Sequence, residues 1–222
     1  MKRLSMLCAA LCLFLNACAP TFMGENDPEY GAPKGGQLDS TLACAVDLAL
    51  AGGDPLERTA HDLPNEVKGG QASQAALHKL QDNETNSWRG REAFYSLTAG
   101  PLFNWRGQPA RCAAVRMQGA DGVKEWSGVA VRDSRNVWHF VDRVQRWSAA
   151  DTLAFYKGID QPKDGQANAW NGNAGSCGLI IQNTDIKGNV ILRKFSLQIN
   201  GVTVEGVVRR EAKKAWQLEE AR

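Results

Sequence analysis

The feature that most constrains this chain is an internal repeat. Residues 126–140 (WSGVAVRDSRNVWHF) align without a gap with residues 204–218 (VEGVVRREAKKAWQL). Gly128 coincides with Gly206, and Trp138 coincides with Trp216. Self-similarity at a fixed offset predicts that one structural unit occurs twice.

The alignment continues upstream with a different offset. Trp88 corresponds to Trp170 and Leu97 to Leu179 at an offset of 82 residues, whereas the downstream offset is 78 residues. The second copy therefore lacks four residues, and the gap falls in the turn-rich residues 118–124. An even number of missing residues keeps the inward and outward faces of the following strand unchanged.

Each copy is predicted to be a short helix followed by about four strands. Helices are expected at residues 73–80 and 152–156, the second preceded by a capping box from Ser148 to Asp151. The pair Asn200–Gly201 is typical of a tight hairpin. Alternating segments predict strands at 93–98, 111–118, 124–132 and 136–143, and again at 176–182, 189–198, 203–209 and 215–219. The predicted class is α+β, with two tandem modules, each a short helix packed on a roughly four-stranded antiparallel sheet.

The amino terminus predicts a lipoprotein signal peptide over residues 1–17. Lys2 and Arg3 precede a short apolar segment, and residues 15–18 (LNAC) are similar to a bacterial lipobox. Cys18 is then the lipidated residue, carrying palmitate or related acyl chains as a membrane anchor. The alternative is a plain secretory signal cut nearby. Ala at position 19, rather than Asp, favours the outer membrane by resemblance to sorted lipoproteins.

The remaining chain divides into four predicted segments. Residues 18–37 are rich in Gly and Pro and are expected to be a flexible tether. Residues 38–70 contain an N-terminal helix over 39–50 and a loop, and residues 71–147 and 148–222 are the two modules. Trp138 and Trp216 are predicted core anchors, because burying one aromatic side chain contributes roughly 1.5–3 kcal/mol.

The charge balance gives no argument for nucleic acid binding. Loss of Lys2 and Arg3 with the signal takes the formal net charge from +2 to 0. Three cysteines remain besides the lipidated one, and the export compartment permits disulfides. One bridge can form among them and the sequence does not choose the pair; they are Cys44, Cys112 and Cys177. No CxxC or HxxxH spacing indicates a metal site, and no cofactor is expected.

The repeat resembles the C-terminal domain of the rickettsial 17-kDa surface antigen family of lipoproteins. The resemblance rests on a helix, a Trp, a strand with an Arg–Cys pair, a Gly-bearing strand and a late Trp, all of which residues 76–138 supply. Residues 153–216 supply the same features except the Cys, which is replaced by Lys in the pair Arg193–Lys194. It implies an envelope lipoprotein with a small β-rich domain and no known catalytic residue. The usual intradomain cysteine pairing of that family is absent, because its second Cys falls near Ala130 or Val131 here.

Catalytic motifs are weak in this sequence. The imidazole–carboxylate pairs close in sequence are His61 with Asp62 and His139 with Asp142, and no nucleophile elbow, P-loop or HExxH helix occurs. Three tryptophans without a Trp counterpart in the second copy are candidates for an exposed recognition surface, namely Trp105, Trp126 and Trp147.

The leading hypothesis is therefore an envelope lipoprotein, not an enzyme, with a binding or scaffold role at the outer membrane. Its folded part would lie in the periplasm or at the cell surface, held by its lipid anchor. An envelope protein or cell-wall material would be its partner. The first alternative is an inhibitor or docking subunit of an envelope or secretion machine, which uses an exposed sheet edge. The second is a cell-wall-acting enzyme that gathers His61, His139 and a carboxylate or Cys in one cleft.

Overall fold

The strands of both repeats lie in one sheet. The computed structural model describes residues 37–144, 146–160, 163–212 and 214–222, with side chains from Thr41 onward. The signal peptide, Cys18 and nearly all of the predicted tether lie outside these residues. The described helices are α1 (Gln37–Ala51), α2 (Asn65–Lys68), α3 (Gln71–Lys79) and α4 (Ala149–Ile159), with a 3-10 turn at Pro55–Glu57. The described strands are β1 (Glu84–Arg89), β2 (Ala93–Trp105), β3 (Gln108–Gly119), β4 (Gly122–Arg132), β5 (Trp138–Asp142), β6 (Ala167–Gly172), β7 (Gly175–Lys187), β8 (Val190–Ile199), β9 (Val202–Glu211) and β10 (Gln217–Ala221).

The pairing register follows the alignment of the two repeats. Helix α3 precedes the antiparallel run β1 to β5, and helix α4 precedes the antiparallel run β6 to β10. Ala113 pairs with Gly128 in the first copy, and Phe195, 82 residues after Ala113, pairs with Gly206 in the second. The β8–β9 hairpin is shorter than the β3–β4 hairpin, which accounts for the four missing residues.

The prediction of two separate helix-on-sheet modules is wrong. The described residues form one sheet of ten strands in the order β5-β4-β3-β2-β10-β9-β8-β7-β6, with β1 also paired to β2. Strand β10 joins the two runs by pairing parallel with β2, through Glu220 with Asn104 and Ala221 with Trp105. Alternation along a strand shows which side chains point inward, but it does not show which strand edges meet. A unit of about 70 residues is also marginal for a core of its own.

Each repeat has five strands rather than about four. Strands β1 and β6 were missed because they lie at sheet edges and expose most of their residues. Such strands lack the apolar alternation by which a half-buried strand is recognised. Trp88 and Trp170, which the sequence alignment makes equivalent, are the partly buried aromatics of these two strands.

Helix α1 packs against strands of both runs, around the joint between β2 and β10. Residues 41–49 are buried on every side of the helix, which contacts β2, β3, β4, β9, β10 and α4. A helix buried all round is typical of a core element. The disulfide between Cys44 and Cys112 fastens it to β3, and a buried ion pair joins its Asp47 to Arg143 at 2.5 Å. The helix ends before Gly52 and Gly53, both with positive φ, a conformation that glycine adopts without strain.

Equivalent hydrogen bonds in the two copies hold α3 and α4 against the sheet. Arg111 donates to the carbonyl oxygen of Leu77 near the end of α3, and Arg193 donates to that of Ile159 at the end of α4. The late indoles are buried as predicted, with Trp138 1% and Trp216 0% exposed. Their N–H groups again reach corresponding residues at the helix ends, His78 at 3.4 Å and Asp160 at 2.8 Å. These equivalent contacts show that the two copies of the sequence repeat form similar structures.

Guanidinium groups also cover both late indoles. Arg132 lies 5.4 Å from the ring centroid of Trp138, and Arg210 lies 4.5 Å from that of Trp216. The two arginines occupy equivalent positions of the repeat. Cation–π contacts of this kind contribute about 0.5–1 kcal/mol at partly exposed sites.

Candidate interaction surface

The tryptophans proposed as a recognition surface lie in the core. Trp105, Trp126 and Trp147 are 1%, 6% and 7% exposed. The indole N–H of Trp126 donates to Asp142 at 2.7 Å, and that of Trp147 donates to Thr152 at 2.8 Å. They do not line a recognition surface, since almost none of their area reaches solvent.

Two of these indoles, Trp105 and Trp147, fill places that the repeat does not duplicate, whereas Trp126 occupies the position of the buried Val204 in the second copy. Trp105 lies where β10 pairs with β2, a joint that occurs once. Trp147 precedes α4 in the connection between the two runs and packs edge-on against Trp170. A Trp without a Trp counterpart therefore indicates a difference in core packing between the copies rather than exposure.

The cysteines form one bridge and leave one buried thiol. Cys44 and Cys112 are joined, with their Cα atoms 5.9 Å apart, and Cys177 is free and 2% exposed. Burial, followed by the nearby carboxylate of Asp151, raises the pKa of Cys177 to about 11. A nucleophilic thiol requires a depressed pKa, so neither Cys112 nor Cys177 has the properties of one.

The histidines make local structural contacts. His139 lies 3.1 Å from Asp133 rather than pairing with Asp142, and Asp142 accepts from the backbone N–H of His61 at 3.0 Å. The backbone N–H of Val137, followed by the His139 ring, lowers the pKa of Asp133 to about 2. In the described part of the chain, no three His, Cys, Asp or Glu residues form a group that could hold a metal ion.

A shallow depression of about 500 Å³ lies beside the turns that follow β1 and β3. Arg89, Arg91, Glu92, Phe94 and Gln118 are among its lining residues. It contains none of the histidines or cysteines named above, so the residues proposed for a cell-wall enzyme do not meet there.

Most open sheet edges in the structure are protected by specific groups. Along β5, the side chain of Gln74 donates to the carbonyl of Trp138 at 2.8 Å and accepts from its N–H at 2.9 Å. The N–H of Ala60 donates to Phe140 at 2.8 Å on the same strand. Beyond the end of β6, Asp164 accepts from the N–H of Thr184 at 2.9 Å. Satisfied edges of this kind do not accept another strand.

The far end of β7 is protected by charge. Asp185 and Lys187 stand where the first repeat has Phe103 and Trp105, and they form an ion pair of 3.1 Å. Phe103 and Trp105 are buried at the joint with β10, 3% and 1% exposed. The charged pair gives no apolar surface for an equivalent joint, which is why the sheet is not extended there.

The outer edge of β6 has none of these protective devices. It pairs with β7 in continuous register from Ala167 with Ile180 to Gly172 with Gly175, without a bulge. Among the described residues no group bonds to its outer backbone side, and the sheet order ends there. Residues 165–184 contain no charged side chain and no histidine, in a chain with 23% charged residues. β6 is therefore an uncharged, unprotected edge.

The other unpaired edge differs in charge. Strand β1 pairs with β2 on one side, but it carries Glu84 at one end and Arg89 at the other. Charged residues on an edge strand discourage pairing with a further strand. Sequence reasoning did not single out β6, although its signal, twenty residues without charge, is visible in the sequence.

The fold and this edge define a class: a protein built mostly of one large mixed sheet with a few short helices, and with a single uncharged open edge among its described strands. Comparison with models of protein families, with curated proteins and with solved structures found no significant match. None of the described helices has the length and apolar character needed to span a bilayer.

Proposed function

We propose that this protein is a lipid-anchored envelope protein with a non-catalytic binding or scaffold role. The open edge of β6 is the observation that carries the binding role, because an unprotected edge strand offers backbone donors and acceptors to another strand. The edge also favours the docking-subunit alternative over a cell-wall enzyme, whose candidate residues are a bridged cysteine, a thiol of raised pKa and histidines in local contacts.

The proposed location rests on two further observations. The lipobox-like residues 15–18 precede the Gly- and Pro-rich segment that leads directly into α1. Helix α1 carries a disulfide to β3, and disulfides persist in oxidising compartments such as the periplasm. A tether that continues into α1, the helix joined to β3 by the disulfide, would connect the lipid anchor to the folded part of the chain. Placement at the outer membrane and the likeness to the 17-kDa antigen family remain predictions.

The anchor is tested by metabolic labelling with radioactive palmitate. The natural chain should be labelled and Cys18→Ala should not, while Cys177→Ala, which removes a buried thiol elsewhere, should keep its label. Label that survives Cys18→Ala would contradict the anchor.

The binding role is tested with a photo-crosslinking amino acid at Ala169, on the exposed side of β6. Irradiation of intact envelopes should give one adduct of defined mass. The matched control places the same group at Thr203, an exposed residue on an interior strand of the sheet. Equal adduct formation at both positions, or none at Ala169, would count against the β6 edge as the binding surface.

A further inference from the structure

We infer that the strand which pairs with β6 is β6 of a second copy, in antiparallel orientation across a two-fold axis. The inference rests on the proposed function in two respects: it takes the β6 edge to be the binding surface, and it takes the lipid anchor to confine both copies to one membrane.

The absence of charge favours a second copy. In a two-fold antiparallel strand pair the residue on the axis meets its own counterpart, and residues placed symmetrically about the axis meet each other, so like charges at such positions repel. Residues 165–184 carry no charge, and the flanking Asp164 and Asp185 lie outside this stretch. A partner with a charged binding strand would find no opposite charge on β6. An identical strand matches this edge in both respects, because it carries no charge and has the same alternation of exposed and half-buried residues.

The alternation of β6 is also self-complementary. Ala167, Ala169 and Asn171 are exposed on one face, whereas the residues between them are half-buried on the other. An antiparallel pair centred on Ala169 places Ala167 opposite Asn171 of the other copy, so exposed residues meet exposed residues. Cβ atoms of directly opposed residues then lie about 4.5–5.5 Å apart, and small alanine side chains permit this approach.

The position of Trp170 selects that register. A pair centred one residue later would bring two Trp170 indoles face to face across the axis. Each indole is already held, by a 3.1 Å hydrogen bond to Asp151 and an edge-on contact with Trp147. Centring on Ala169 instead places Trp170 beside the shorter side chain of Asn168.

The membrane anchor would make a short interface effective. A six-residue strand pair buries less area than the roughly 1,200–2,000 Å² of a stable interface, so the pair is expected to be weak between freely diffusing molecules. Confinement of both copies to one membrane surface raises their effective concentration, as a linker does. Dimers are therefore expected in the envelope and at much lower abundance after detergent dilution.

The test is cysteine crosslinking of the full-length chain in its own envelope. Ala169→Cys under mild oxidation should give a disulfide-linked dimer at least ten times more abundant than that from Ser87→Cys, the matched control on the exposed face of β1. Ala167→Cys and Asn171→Cys should each give little dimer alone, because residue 167 of one copy faces residue 171 of the other rather than a second introduced cysteine. When the two variants are expressed together, they should give a mixed dimer.

A charge variant tests the same register. Ala167→Lys together with Asn171→Lys in the Ala169→Cys chain places a lysine of one copy directly opposite a lysine of the other and should strongly reduce the crosslink, whereas Ala167→Ser with Asn171→Ser should preserve it. Absence of a dimer with Ala169→Cys, or equal dimer from Ser87→Cys, would overturn the inference. Palmitate labelling of the same samples tests the dimer and the anchor separately. Labelled protein without a crosslink would contradict the dimer alone, and unlabelled protein would contradict the lipid anchor.

Discussion

Removal of the bridge between α1 and β3 should cost this protein a large part of its stability. The two cysteines are 68 residues apart in sequence. The chain-entropy relation for a loop of that size gives about 4 kcal/mol of stabilisation, acting on the unfolded chain. The variant Cys44→Ala/Cys112→Ala is therefore expected to lose about 4 kcal/mol of unfolding free energy, against a total of 5–15 kcal/mol for an ordinary domain.

The position of the disulfide gives a second reason to expect a lower free energy of unfolding, besides the entropy of the unfolded chain. Cys44 is fully buried in α1, and α1 contacts strands of both repeats. Opening the bridge therefore loosens the element that the two runs of strands share. The matched control is Cys177→Ala, which also removes a buried thiol but no crosslink; it should cost only about 1 kcal/mol, as for a small core truncation.

Urea denaturation in mild non-ionic detergent, followed by tryptophan fluorescence, measures these differences. The seven tryptophans give a strong signal. A loss of less than about 1 kcal/mol in the double variant, or a loss no larger than that of Cys177→Ala, would refute the reasoning. A reductant should destabilise the natural protein by a similar amount and leave the double variant unchanged.

Three further outcomes are expected. Gly206→Ala should lower the free energy of unfolding by about 1–3 kcal/mol through overpacking, because an added Cβ would lie 2.3 Å from a backbone carbonyl oxygen. In the control Gly178→Ala the added Cβ has nothing within 4 Å, so this variant should unfold at nearly the same urea midpoint as the natural protein. Cys177, whose folded pKa is raised to about 11 from 9.0, should resist a thiol reagent at pH 8 until the protein unfolds, and its contribution to stability should be lost as pH rises from about 9 to 11. The folded pKa of Asp133 is lowered to about 2 from 3.8, so its carboxylate contributes stability above its unfolded pKa, and this contribution is lost as pH falls from about 4 to 2. Asp133→Asn should therefore make the free energy of unfolding less dependent on pH in that range. An unchanged pH dependence would contradict the hydrogen bond from Val137.

Local patterns were sufficient to place most elements. The helix predicted over residues 39–50 is α1, and the capping box at Ser148 and Asp151 begins α4. The Asn200–Gly201 pair forms the β8–β9 turn, with both residues at positive φ. These features depend on neighbours in sequence, so the sequence contains the information that they need.

The open edge of β6 shows where sequence reasoning stopped short. Its lack of charge was readable, but its position at the end of the sheet depends on how strands from both repeats are ordered. An exposed strand without apolar alternation is read as a loop. The proposed binding surface therefore became visible only when the sheet was assembled.

The sequence by itself determined the repeated unit, the strand faces and the burial of the late indoles, because each follows from periodicity along the chain. Only the tertiary structure decided that β10 pairs with β2, that Cys44 rather than Cys177 bridges Cys112, and that Trp105 lies at that joint. Each of these contacts joins residues far apart in sequence. They form because two units, each too small for a core of its own, share one core around α1.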